Sequence, residues 1–191
     1  VLKAGRSSDR VVSASSHAPN PDAVFDAAVR RAGTVRVKTY TQLFVAAAIL
    51  SMGKVPRGDR LAIVANGRGP ALLAADSAME RGVTLAEFEP STVRALDTIL
   101  PPESARANPV DVRGDSTPER FAAAISATLA DRNVDAVLAL HVPRPATGPT
   151  DAARAIAAVT RGESKPVLGA WLGAIDRTEA REALEAGGVA N

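Results

Sequence analysis

The stretch Leu61-Ala62-Ile63-Val64-Ala65, followed at once by Asn66-Gly67-Arg68-Gly69-Pro70, decides the fold class. An apolar run with no polar alternation describes a strand covered on both faces, as in a parallel sheet. The glycines and the proline break that strand, and a helix from Ala71 to Arg81 follows, ended by Gly82 at its C′ position. The pattern repeats outward from this unit. Val83 to Phe88 reads as a second strand, and a helix capped by Ser91 runs to Leu100, where Pro101-Pro102 stops it. A long connection from Pro102 to Asp115 contains Asn108-Pro109-Val110-Asp111. A helix then runs to about Arg132, with Ser116 and Glu119 as a capping box, or Thr117 with Pro118 at N1 as the rival start. Ala136 to Val142 and Val167 to Leu172 are further strands, separated by a helix from Asp151 to Thr160. Asp176 caps a last helix ending at Gly187. Strand–helix alternation of this length predicts an α/β fold, a parallel sheet with helices on both faces. A flavodoxin-like strand order is the first expectation and a Rossmann-like order the second.

The first 58 residues differ. Val1-Leu2-Lys3-Ala4 reads as a strand and Gly5 to Asn20 as a small-residue loop. Helices are expected over Asp22–Ala32 and Thr41–Met52, with a short strand Val35-Arg36-Val37 between them and a linker from Gly53 to Gly58. That is thin for an independent core, so this segment reads as the tail of a preceding domain. The chain as a whole reads as a piece of a longer protein.

Composition excludes several function classes. The 191 residues carry a net charge of +2 and 3% aromatics, which is no footprint for nucleic acid. Cysteine is absent, which removes disulfides, thiolate metal sites and a cysteine nucleophile. The two histidines, His17 and His141, are too few for a histidine-built metal cage, and no metal site is expected. No apolar run reaches the ~18 residues of a membrane span and no signal peptide opens the sequence, so a cytoplasmic protein without a membrane partner is the default expectation.

Chemistry in open parallel sheets sits at the carboxyl ends of the strands. Asn66, Gly67, Arg68 and Gly69 occupy that position after the first strand. Their glycines allow close backbone approach, and the following helix start suits a phosphate or carboxylate. An ordinary βα turn would also explain them, and the loop is neither GxGxxG nor a Walker A motif. Asn108 and Asp111 could orient a ligand, although Asn-Pro is also a common turn initiator. His17, on a loop before a helix, has the position of a nucleophile or phosphoryl carrier, and equally of a plain surface histidine. His141, at the end of a buried strand, reads as a core or rim histidine.

Several stretches together resemble one family. They are Lys3-Ala4-Gly5-Arg6-Ser7, Ser16-His17, Asp22-Ala23-Val24-Phe25-Asp26-Ala27-Ala28 and Arg30-Arg31-Ala32-Gly33. Arg60 to Val64 with Asn66-Gly67 and Gly69-Pro70, Ala74-Ala75-Asp76, Asn108 to Asp111 and Lys165-Pro166-Val167-Leu168 continue the series. In order and spacing they resemble the NDP-forming acyl-CoA synthetases, relatives of succinyl-CoA synthetase. Each motif is weak alone; the string is specific.

The resemblance implies two domains: residues 1–58, the end of a succinyl-CoA-ligase-like flavodoxin-like domain plus linker, and residues 59–191, a flavodoxin-like ligase domain whose last strand is cut short. It implies acyl-CoA formation from acid, CoA and NTP through a phosphohistidine at His17. Coenzyme A and ATP/ADP with Mg are expected for the full-length protein and none for this piece alone. The implied partners are the remaining CoA-binding and ATP-grasp domains of the same protein, with an oligomer left open. The family's loop continues with glycines after the histidine, whereas here Ala18-Pro19-Asn20-Pro21 is shorter and carries two residues that donate no N–H. That departure argues for a reduced or lost relay. It also resembles the synthetase-like region of Pat-type protein lysine acetyltransferases, in which this module is a silent, acyl-CoA-sensing scaffold.

Overall fold

The computed structural model describes residues 21–144, 148–173 and 178–191. The expected strand over residues 1–4, the loop from Gly5 to Asn20 and the Asp176 cap lie outside the described residues. Contacts divide the chain into two units, Val1–Val45 and Ala46–Asn191. The first holds helix α1 (Pro21–Arg31) and the start of helix α2 (Tyr40–Ser51). Gly33 ends α1 in the left-handed region at φ +66°, and both the amide and the hydroxyl of Thr34 donate to the Val29 carbonyl. Val35–Val37 forms no strand: Arg36 is drawn back onto α1, where it pairs with Asp26 and lies 5.6 Å from the Phe25 ring centroid. The amide of Gln42 donates to the Thr39 hydroxyl, so α2 starts one residue before the expected Thr41.

The second unit is an all-parallel sheet. Strand β1 (Arg60–Ala65) is central, flanked on one side by β4 (Ala136–His141), β5 (Val167–Trp171) and β6 (Val189–Ala190) in turn. On its other side β1 changes partner halfway. Arg60 and Leu61 pair with β2 (Thr84–Leu85), and Val64 and Ala65 pair with β3 (Val110–Asp111). Taking β2 and β3 as one interrupted edge strand gives the flavodoxin-like order 2-1-3-4-5. The expected strand Val83–Phe88 is thus shorter than its apolar pattern, and β3 is a strand where a connection was expected.

The Asn108 carboxamide fills the gap between the two halves. It accepts from the Ile63 amide at 3.0 Å and donates to the Leu61 and Ala86 carbonyls at 2.7 and 3.1 Å. A side chain here stands in for the missing peptide of an edge strand.

Alternation along β1 sorts the core into two clusters. Ala62 and Val64 face one cluster, which includes Leu96, Phe121, Ile125, Ile156 and Leu184, while Ile63 and Ala65 face another with Ala71, Ala75 and Leu140. Helix α3 (Arg68–Met79) therefore lies alone on one face. Helices α4 (Pro90–Ile99), α5 (Pro118–Ala130), α6 (Pro149–Thr160) and α7 (Thr178–Ala186) feed the other. Right-handed crossovers require this split: the chain moves one way from β1 to β2 and the other way from β3 through β6.

Proline at N1 decides two helix starts. Glu89 rather than Ser91 precedes α4, and Thr117 rather than Ser116 caps α5 by accepting from the Arg120 amide at 3.2 Å. Lys165 donates to the Leu129 and Asp131 carbonyls, closing the C-terminal end of α5 with a cation. Beside it Arg60 pairs with buried Asp135 at 2.8 Å, and that hydrogen bond holds the Asp135 carboxyl below the usual carboxylate range.

Replacing Asn108 with Ala removes three hydrogen bonds to the backbone and leaves the Ile63 amide without that acceptor, while the Leu61 carbonyl keeps the Ala86 amide; an unpaired buried group costs energy. Urea unfolding of Asn108→Ala is expected to lose about 2–4 kcal/mol, more than a turn residue would. A loss under ~0.5 kcal/mol would mean that Asn108 is only a turn-former.

Candidate functional site

The carboxyl end of β1 is built by its last buried residue. Asn66 is fully buried, and its carboxamide pairs with both backbone groups of Val142: Nδ2 donates to the carbonyl at 2.9 Å and Oδ1 accepts from the amide at 2.6 Å. The exits of β1 and β4 are thereby locked together one residue past their ladder. Asn66 was expected at the anion itself, but its side chain is committed to Val142. Gly67 follows at φ −158° and ψ 115° as the N-cap of α3. A Cβ there would stand 2.9 Å from the Val142 side chain, so this glycine answers to close packing.

Beyond it the site opens. Arg68 and Gly69 are exposed, and no heavy atom lies within 4 Å of a Cβ built on Gly69. The first backbone bond of α3 runs from the Ala71 amide to the Gly67 carbonyl. The amides of Arg68 and Gly69 therefore remain outside the helical ladder, and Pro70 has none to offer. Among the described residues Arg68 has no ion-pair partner.

Two further loops reach this point. The Val112 amide donates to the Ala65 carbonyl, which carries the β3 exit along the β1 exit. Asp111 accepts from the Arg113 amide at 2.8 Å, turning the chain so that Arg113 adopts φ +71°. Asp111 thus shapes its own loop, and a ligand-orienting role for it stays a proposal. Gly114 lies under Arg144 from the β4 loop, with the Arg144 Nε 3.3 Å from the position of an added Cβ. Arg144 escaped the sequence reading, because a contact between loops thirty residues apart leaves no local pattern.

His141 is fully buried and stacks between Phe121, at 6.4 Å, and Trp171, at 5.5 Å, with interplanar angles of 18° and 16°. Trp171 in turn donates to the Pro149 carbonyl at 3.1 Å, tying β5 to the start of α6. This is a core histidine, as its strand position suggested. His17 lies outside the described residues. No group of three His, Cys, Asp or Glu side chains placed to hold a metal occurs among the described residues, and no helix among them is long and apolar enough to cross a membrane.

A Ligase-CoA domain model matches residues 61–191, and a succinyl-CoA ligase like flavodoxin domain model matches residues 1–50. An ADP-forming acetate–CoA ligase I from Archaeoglobus fulgidus is 34% identical over 100% of this chain and 27% of that protein. The alpha subunit of ADP-forming acetate–CoA ligase II from Pyrococcus furiosus is 32% identical over 98% of this chain and 42% of that subunit. The apo form of a dinucleotide-forming acetyl-coenzyme A synthetase 1 from Candidatus Korarchaeum cryptofilum superposes with a TM-score of 0.85 at 27% identity, covering 99% of this chain and 42% of that one. The same enzyme has been solved in complex with phosphate and ADP. This chain therefore spans well under half the length of these relatives. The matched relatives are CoA ligases, and the acetyltransferase reading finds no support among them. The parallel flavodoxin-like sheet, the model covering residues 61–191 and the relatives along the whole chain agree: this chain belongs to the Ligase-CoA domain family.

Proposed function

We propose that this chain is a module of an ADP-forming acyl-CoA ligase and supplies both the phosphoryl carrier, His17, and one pole of the site that stabilises the transferred phosphoryl group. The observation that carries the reading is the start of α3 at the β1 exit, where two amides lie outside the helical ladder next to Arg68, which has no ion-pair partner among the described residues. Both the helix end and the arginine favour an anion. In the forward direction a His17 ring nitrogen attacks the γ-phosphorus of ATP, and the bond to the ADP oxygen breaks. The acid carboxylate then takes the phosphoryl group as the P–N bond breaks, giving an acyl phosphate. The CoA thiolate attacks the acyl carbon and phosphate leaves.

Gly67, Arg68 and Gly69 would hold the doubly charged phosphoryl group between these steps, with Asn66 fixing the loop from behind. Asp111 and Asn108 would act one step removed, by placing the β3 exit beside it. The nucleotide with its Mg, the CoA and the acid would be held by the remaining domains, and no step is assigned to a metal on this chain. The whole relay is a cytoplasmic reaction on this reading. Pro19 and Pro21 donate no backbone N–H after His17, so more of that task would fall to helix starts such as α3. Similarity to ADP-forming ligases along the full chain, including its first 50 residues, favours a working relay over a silent scaffold.

Two measurements test this. Phosphate titrated to millimolar concentration should move the amide signals of residues 67–72, Pro70 apart, with little change around Trp171; unmoved signals would remove the anion site. The intact protein incubated with labelled ATP, and kept alkaline, should carry acid-labile label that disappears in His17→Ala. Persistent label in that variant, or none in the native protein, would end the relay reading.

A further inference from the structure

The two family models leave residues 51–60 unmatched, between position 50 and position 61. By composition this is a linker, Gly53 to Gly58 with Pro56, and it is largely exposed. Its contacts describe something else. Lys54 donates to the Thr160 carbonyl at the end of α6, and its ammonium lies 3.1 Å from the position of a Cβ on Gly188. Val55 and Arg57 line a small cleft with Val134, Asp135, Lys165 and Pro166, ahead of β4 and β5. Gly58 sits so close to Asp135 that a Cβ would stand 2.5 Å from its carboxylate. Asp59 accepts from the Thr84 hydroxyl at 2.7 Å, and its carbonyl takes the Thr84 amide. Arg60 then closes on the same Asp135.

We infer that residues 54–59 are a docked strap across the amino ends of β5, β4 and β1, not a free tether between the two matched domains. Its hold comes from discrete contacts spaced along it. Asp135 is the central one: it is pinned by Arg60 and leaves room for a glycine only. The strap lies on the side of the sheet opposite the β1 exit. It stands independently of the phosphoryl-relay reading, since every contact lies away from that site.

Trypsin reads the strap directly, because Lys54 and Arg57 both present cleavable bonds. In the 191-residue chain, cleavage after Arg57 should be at least about tenfold slower than in a synthetic peptide of residues 51–60, as docked segments must open before cleavage. Gly58 does not lie in the left-handed region, so Gly58→Ala adds the clash with Asp135 without backbone strain. That variant should be cut after Arg57 at close to the peptide rate, with Trp171 emission unchanged. Lys54→Ala, which frees the other anchor, should also speed that cut and decides the matter should Gly58→Ala fail to fold. A native chain cut as fast as the peptide would overturn the inference. So would folded variants cut no faster than the native chain.

Discussion

The pairing of the Asn66 carboxamide with the backbone of Val142 is the contact on which the carboxyl end of the sheet depends. It extends the β1–β4 ladder by one rung after both strands have ended, and it does so with a side chain. The chain past Asn66 is thereby free to turn, and Gly67 can start α3 against the Val142 side chain. A βα loop usually wanders; this one is nailed at its first residue, so the helix start that follows is presented in a fixed place. Burying an amide costs energy unless its donors and acceptor are met, and here both partners come from one residue.

Asn108 repeats the device on the other side of β1. The edge strand is interrupted, and a carboxamide bonded to Ile63, Leu61 and Ala86 bridges the break. Asn108 thus holds the start of β3, and Asn66 the exit of β4, to either side of β1. Charge is distributed to match. At the amino ends of the strands Arg60 pairs with Asp135, Arg132 pairs with Glu89 and Lys165 donates to the end of α5. At the carboxyl ends Arg68, at the start of α3, has no acid partner among the described residues, which is the polarity an anion would meet.

Sequence reading found what is local and periodic. The unalternated run Leu61–Ala65 predicted a buried parallel strand, and strand–helix alternation predicted the flavodoxin-like order, because both signals are carried by consecutive residues. It missed β3, whose two paired residues fall below any periodic signal and follow an Asn-Pro pair that reads as a turn. It left Ser116 and Thr117 as rival caps of α5, and Thr117, with Pro118 at N1, is the one that caps it. The Gly67 environment and the Arg144–Gly114 contact depend on side chains far apart in sequence, so no pattern within either loop could reveal them. The glycines of the β1 exit were singled out only by position, and His17 only through the family resemblance; their roles belong to the proposed function.

On the proposed function the β1 exit stabilises a phosphoryl group in transit. ATP–ADP exchange by the intact protein isolates that step, since it needs neither acid nor CoA. The native protein should exchange label between ADP and ATP. Gly67→Val, which drives a side chain into Val142 and displaces the start of α3, should lower the exchange by about a hundredfold, the scale of losing oriented donors at a developing charge. Exchange that is unaltered in folded Gly67→Val, or absent from the native protein, would rule out that role for the β1 exit.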